Sequence, residues 1–130
     1  MDSPVVVQTL IRSRDGSFRS LDESGESRQG EYVEGAIVLT AWGTEILDTG
    51  VWDDVDYLWS YISDIVNDLI EGRGSCTCFP DQPIKLSFEN VPRGGVVASV
   101  DLGEERRIMA IPKEALVDAL RAAGNDFLTG

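Results

Sequence analysis

Apolar positions in this chain fall first in β-branched or continuously apolar runs, then at a helical period, then at a period of two. Val5-Val6-Val7-Gln8-Thr9-Leu10-Ile11 is rich in β-branched residues and lies between Pro4 and Asp15-Gly16, which predicts a strand entering a hairpin. Residues 18–21 are the short returning strand. Residues 32–42 carry apolar side chains on both faces, as a central strand covered by a helix does, and Gly43 breaks the run. Residues 44–48 add a short fourth strand. The stretch 22–29 between them is polar, has little to bury and is expected to be a mobile loop.

From Asp53 the period changes. At about 100° per residue, Val55, Leu58, Trp59, Ile62, Ile65, Val66, Leu69 and Ile70 share one arc, which predicts an amphipathic helix over about 53–71. Asp53 or Asp54 supplies its N-cap, Asp56 puts negative charge in the first turn where the helix dipole favours it, and Gly72 and Gly74 stop it. Beyond the rigid turn Phe79-Pro80-Asp81-Gln82-Pro83, Ile84, Leu86 and Phe88 alternate with Lys85, Ser87 and Glu89. Two further short strands follow at 96–102 and 106–111, and their spacing predicts a meander. Pro112 at the first helical position opens a second helix over about 112–123, with Leu116, Ala119, Leu120 and Ala123 inward and Gly124 at its end. The expected fold class is α+β, a mainly antiparallel sheet covered by the long helix, in a single domain over 1–130.

Composition supports a globular chain. Its 130 residues suffice for a core without staples, and the apolar fraction of 42% is that of a folded domain. No run of about 18 apolar residues exists to span a membrane. Met1-Asp2-Ser3-Pro4 lacks the basic opening of a signal peptide, so a cytoplasmic location is the expectation. The net charge of −12 is concentrated: residues 22–71 hold thirteen acids against the single base Arg28. Such a field repels phosphate backbones and anionic lipid, which argues against nucleic-acid and membrane partners, and it attracts a basic protein. Arg93, Arg106, Arg107, Lys113 and Arg121 gather in the C-terminal third, so acidic and basic faces could also meet in a homodimer.

Candidate chemistry is sparse. The chain has no histidine, which removes conventional triads and imidazole acid–base catalysis. Ser63, Ser99, Cys76 and Lys113 are nucleophiles without an activating neighbour in the sequence. Asp54-Val55-Asp56 has the spacing of a metal–nucleotide Asp-x-Asp pair, but the helix dipole explains two acids in a first turn. Cys76 and Cys78 would close a strained ring as a disulfide; as thiolates they could hold a soft metal, but a closed zinc site wants four ligands, which only a dimer would supply, so two reduced thiols are expected. No catalytic residue, metal site or cofactor is predicted.

What the fold does not demand lies on the reverse of the helix. Tyr57, Tyr61, Asp64 and Asp68 form a stripe pointing away from the apolar arc. Tyrosine beside carboxylate suits a protein interface, with the ring offering desolvated area and the acid pairing with lysine or arginine. These four are the candidate partner-binding residues. A self-associating accessory subunit, or an enzyme with an acidic site, are the alternative readings.

The stretches Trp52-Asp53-Asp54-Val55-Asp56-Tyr57-Leu58-Trp59-Ser60-Tyr61-Ile62 and Phe79-Pro80-Asp81-Gln82-Pro83-Ile84-Lys85-Leu86 resemble a group of small acidic bacterial proteins of unassigned activity, over roughly 37–127. In size, acidity and Tyr/Asp stripe the chain is also similar in character to immunity proteins that neutralise bacterial toxins. That likeness implies a non-catalytic inhibitor of a basic partner.

Overall fold

The computed structural model describes residues 4–13, 15–20, 34–79 and 82–129; the polar stretch 22–29, and Tyr32 at the start of the expected third strand, lie outside them. The first sheet contains β1 (Val5–Arg12), β2 (Phe18–Ser20), β3 (Glu34–Ala41), β4 (Thr44–Leu47) and the two-residue β5 (Asp53–Asp54). Its order is β2-β1-β3-β4, and β5 returns to β3 beyond a short 3-10 turn at Thr49–Val51. β3 is thus the central strand that its two-sided apolar pattern predicts. Antiparallel pairing of Val7 with Leu39 and Thr9 with Ile37 sets one face of β1 and β3 inward. On that face Gly35 and Ile11 are also paired and buried.

The strand expected over 32–42 stops at Ala41 instead of running through Trp42. Trp42 (φ +48°) and Gly43 (φ +80°) form a two-residue turn between β3 and β4, whose positive φ values match the twist of the flanking strands. The Trp42 N–H donates to the carbonyl of Pro4 at 2.8 Å, which pins the turn to the start of β1.

The amphipathic period yields α1 (Val55–Ile70), capped by Asp54, whose carboxylate accepts from the Tyr57 N–H at 3.4 Å. Asp53 does not cap. It is buried, and its carboxylate accepts from the Asp54 N–H at 2.6 Å and the Gln82 N–H at 2.8 Å, tying the edge of the first sheet to the turn before β7. Seven of the arc residues, Val55 through Leu69, are buried. Ile70 is not: it is 49% exposed, in the last position of α1 about three turns beyond Trp59, where the second helix makes its close approach.

The second sheet is the expected meander with one more strand: β6 (Ser75–Cys78), β7 (Lys85–Val91), β8 (Gly95–Asp101) and β9 (Arg106–Pro112), each antiparallel to the next. β6 has no hydrophobic alternation to announce it; pairing with β7 alone makes it a strand. The final helix, α2 (Lys113–Thr129), corrects the sequence expectation at both ends. Pro112 closes β9, paired with Gly95, and the Lys113 N–H donates to Gly94 at 2.9 Å. Gly124 does not end the helix. A Cβ there would stand 3.3 Å from Cε3 and Cζ3 of the Trp59 ring, so glycine lets the two helices close, and the extra turn buries Phe127. α1 lies against β3 and β5 of the first sheet and β6 and β7 of the second, while α2 lies against β1 and β9. The buried apolar residues of both sheets and both helices form one cluster. The sheets are also fastened by Arg107 of β9, which donates to the Ile46 carbonyl at 3.0 Å and pairs with Asp48 at 3.1 Å.

Candidate functional site

The fold places the four stripe residues on the outward side of α1, but it does not treat them alike. Tyr57 is 59% exposed, Tyr61 is half-buried beside it, and the two rings sit 6.5 Å apart at 38°, within the range of favourable tilted aromatic pairs. Asp64, one turn on, is exposed. Asp68 is committed within the chain: Arg73 donates to it at 2.9 Å, and hydrogen bonds from Arg73 and Ser75 hold its carboxyl below its ordinary value. Arg73 also pairs with Glu71. Of the four candidate residues, Tyr57, Tyr61 and Asp64 remain outside the salt bridges among the described residues.

The same sorting applies to the rest of the acidic block. Glu34 pairs with Arg12 at 3.2 Å, and Arg12 stacks over the Trp52 ring at 4.5 Å. Asp48 caps the 3-10 turn through the Gly50 N–H and holds Arg107. Asp53 and Asp54 serve the junction of β5 and α1. Of the remaining described acids of the block, Glu45, Asp56 and Asp64 have no salt bridge. Much of the charge that looks like a uniform acidic face in the sequence is architecture.

Asp54 illustrates the cost of that architecture. Burial pushes its carboxyl above the ordinary value of 3.8; the Tyr57 N–H opposes the shift, and the charges of Asp56 and Asp53 add to it. A raised folded value means that ionised Asp54 subtracts stability at neutral pH. As pH falls through the folded value the native state takes up the proton first, and the loss is fully relieved below 3.8. Asp54→Asn keeps a good cap and removes the charge, so it is expected to raise stability at pH 7, with the gain vanishing toward pH 3.5. Asp54→Ala should lose about 1 kcal/mol through the missing cap. Urea titrations of the three proteins at both pH values check the pattern; an Asn variant less stable than the parent at pH 7 would refute it.

The Asp54-Val55-Asp56 pair gains no third ligand: no group of three or more His, Cys, Asp or Glu residues able to hold a metal occurs among the described residues. Sequence reasoning missed Trp42. Its indole is 58% exposed although a left-handed backbone conformation is costly for a bulky residue, so neither burial nor backbone preference accounts for it. Val6, likewise exposed, lies opposite Thr40 on the same sheet. The signal was present as Trp-Gly between two strand patterns, the spacing of a two-residue hairpin turn.

Comparison with family models, with curated proteins and with solved structures finds no match to this chain. No described helix is long and apolar enough to cross a membrane.

Proposed function

We propose that this chain is a non-catalytic binding domain whose partner is a basic protein, met through Tyr57, Tyr61 and Asp64 on α1. The observation that carries the reading is the Tyr57–Tyr61 ring pair, Tyr57 exposed and Tyr61 half-buried, on a helix whose opposite face is buried in the core. Packing does not account for the exposed Tyr57 ring, and Asp64 beside the pair lacks an internal counter-charge among the described salt bridges. Aromatic area flanked by an unpaired acid suits a lysine- or arginine-bearing surface, with the charge speeding encounter and the rings slowing release. An inhibitor of a basic toxin, as immunity proteins are, is the most concrete form of this reading.

Immobilised chain is expected to recover a positively charged protein from native lysate, with recovery falling as salt rises. Tyr61→Ala combined with Asp64→Lys should abolish recovery while moving the melting temperature by only a few degrees, because both changes lie on the outward face of α1. Recovery indifferent to the double substitution would remove this surface from consideration.

A further inference from the structure

β6 carries both cysteines of the chain, in Ser75-Cys76-Thr77-Cys78, and is the edge strand of its sheet, bonded only to β7. Side chains at alternate strand positions project to the same side, so Cys76 and Cys78 share a face while Ser75 and Thr77 turn toward the core side. Both thiols are free and exposed. Their Cβ atoms are separated by about 6.5–7 Å along the strand. That is too long for a relaxed disulfide, whose Cβ atoms lie near 3.8 Å. It suits two sulfurs turned toward one ion, because metal–thiolate bonds near 2.3 Å span about 4–5 Å end to end.

The surroundings narrow the ion. Tetrahedral zinc wants four ligands, whereas the chain has no histidine and the described residues hold no cluster of three metal-binding side chains. Two soft thiolates that belong to no cluster of three metal-binding side chains among the described residues favour a cation that is thiophilic and content with two ligands, which is cuprous copper. Lys85 lies directly across from Cys78 in the β6–β7 register, and Ser87 across from Cys76. The bond from the Phe79 N–H to the Ile84 carbonyl makes these non-hydrogen-bonded pairs, in which facing side chains approach most closely. Two thiolates around a monovalent cation carry one net negative charge, and the Lys85 ammonium is placed to offset it. We propose that Cys76 and Cys78 form a two-thiolate site for a single cuprous ion on the exposed face of β6. The site is separate from the α1 surface and does not rest on the binding reading above.

The test is a Cu(I) titration of the reduced full-length chain under anaerobic conditions, in competition with bathocuproine disulfonate, with native mass spectrometry for stoichiometry. One ion per monomeric chain is expected. Changing even an outer-shell residue typically weakens a metal site 10–100-fold, so removing one of two ligands by Cys76→Ser or Cys78→Ser should weaken it about 100-fold or more. Neither change should shift the metal-free melting temperature, because both side chains are exposed. Thr77→Cys combined with Cys78→Ser keeps two thiols in the sequence but sends them to opposite faces, and should bind no better than Cys78→Ser. Parental affinity no tighter than that of Cys76→Ser, one ion bridging two chains, or parental affinity in the moved-thiol variant would each overturn the proposal.

Discussion

Trp59→Ala is expected to lose about 3–5 kcal/mol, the range for truncating a fully buried aromatic side chain. The indole is fully buried in α1, its Nε1–H donates to Thr9 Oγ1 of β1 at 3.0 Å, and its ring lies against Gly124 of α2. One side chain therefore joins the first sheet to both helices. Its removal leaves a cavity that three elements would have to close, and deprives a buried hydroxyl of its donor. Domains of this kind have about 5–15 kcal/mol in hand, so the variant should unfold in mild urea. Far-UV circular dichroism is the suitable probe, since the change removes one of the chain's three tryptophans. Trp59→Phe keeps most of the apolar area and loses the N–H, so it should fall between parent and alanine variant. A loss below about 1 kcal/mol for Trp59→Ala would show that the three elements do not meet at this ring.

Gly35→Ala is expected to be nearly as damaging, at about 3 kcal/mol, the upper part of the range for overpacking a tight site. A Cβ on Gly35 would stand 2.5 Å from the Leu10 carbonyl oxygen and 3.2 Å from Cβ and Cγ1 of Val55. The first obstacle is backbone of β1, held in register on both sides by pairing with β2 and β3, so it has little freedom to retreat. The second is the first residue of α1, fully buried. Gly43→Asn is the informative contrast: Gly43 has positive φ but open space around it, and asparagine tolerates that conformation, so the change should cost less than 1 kcal/mol. Equal losses at the two positions, by thermal or urea unfolding, would show that contact with β1 and α1 is not what Gly35 avoids.

The two effects differ in how visible they are beforehand. Trp59 falls in the apolar arc of a strong helical period, so its burial follows from the sequence; its hydrogen bond to Thr9 does not, because nothing in either neighbourhood pairs residues so far apart in the chain. Gly35 carries no local signal. Its need for hydrogen in place of a side chain arises only where β1, β3 and α1 converge. The same contrast runs through the candidate site. That Tyr57, Tyr61, Asp64 and Asp68 share the outward side of α1 is dictated by the helical period, and the fold keeps them there. That Asp68 is occupied by Arg73 and Ser75, and that Tyr61 is only half exposed, depends on how the chain leaves the helix and packs beside it. At Trp42 the turn spacing is legible in the sequence, but the strand pattern does not say that the indole leaves the sheet and stays exposed.

The α+β class, the long helix and its buried face, the strand alternation after Ile84 and the meander that follows are all legible in the order of the residues. Each of these is a local matter, set by side-chain periodicity, capping residues and turn chemistry within about a dozen residues. That the strands form two sheets, that β6 exists and that α2 runs through Gly124 follow only from contacts between distant segments. Such contacts also decide which acids are spent on architecture: Asp48 on Arg107, Asp53 on Gln82, and Glu34 on Arg12. Charge in a sequence is a sum, whereas the charge available to a partner depends on which groups find counter-charges and donors when distant segments pack. That pairing leaves Asp64, beside two tyrosines, as one of the described acids of the block that still face outward, together with Glu45.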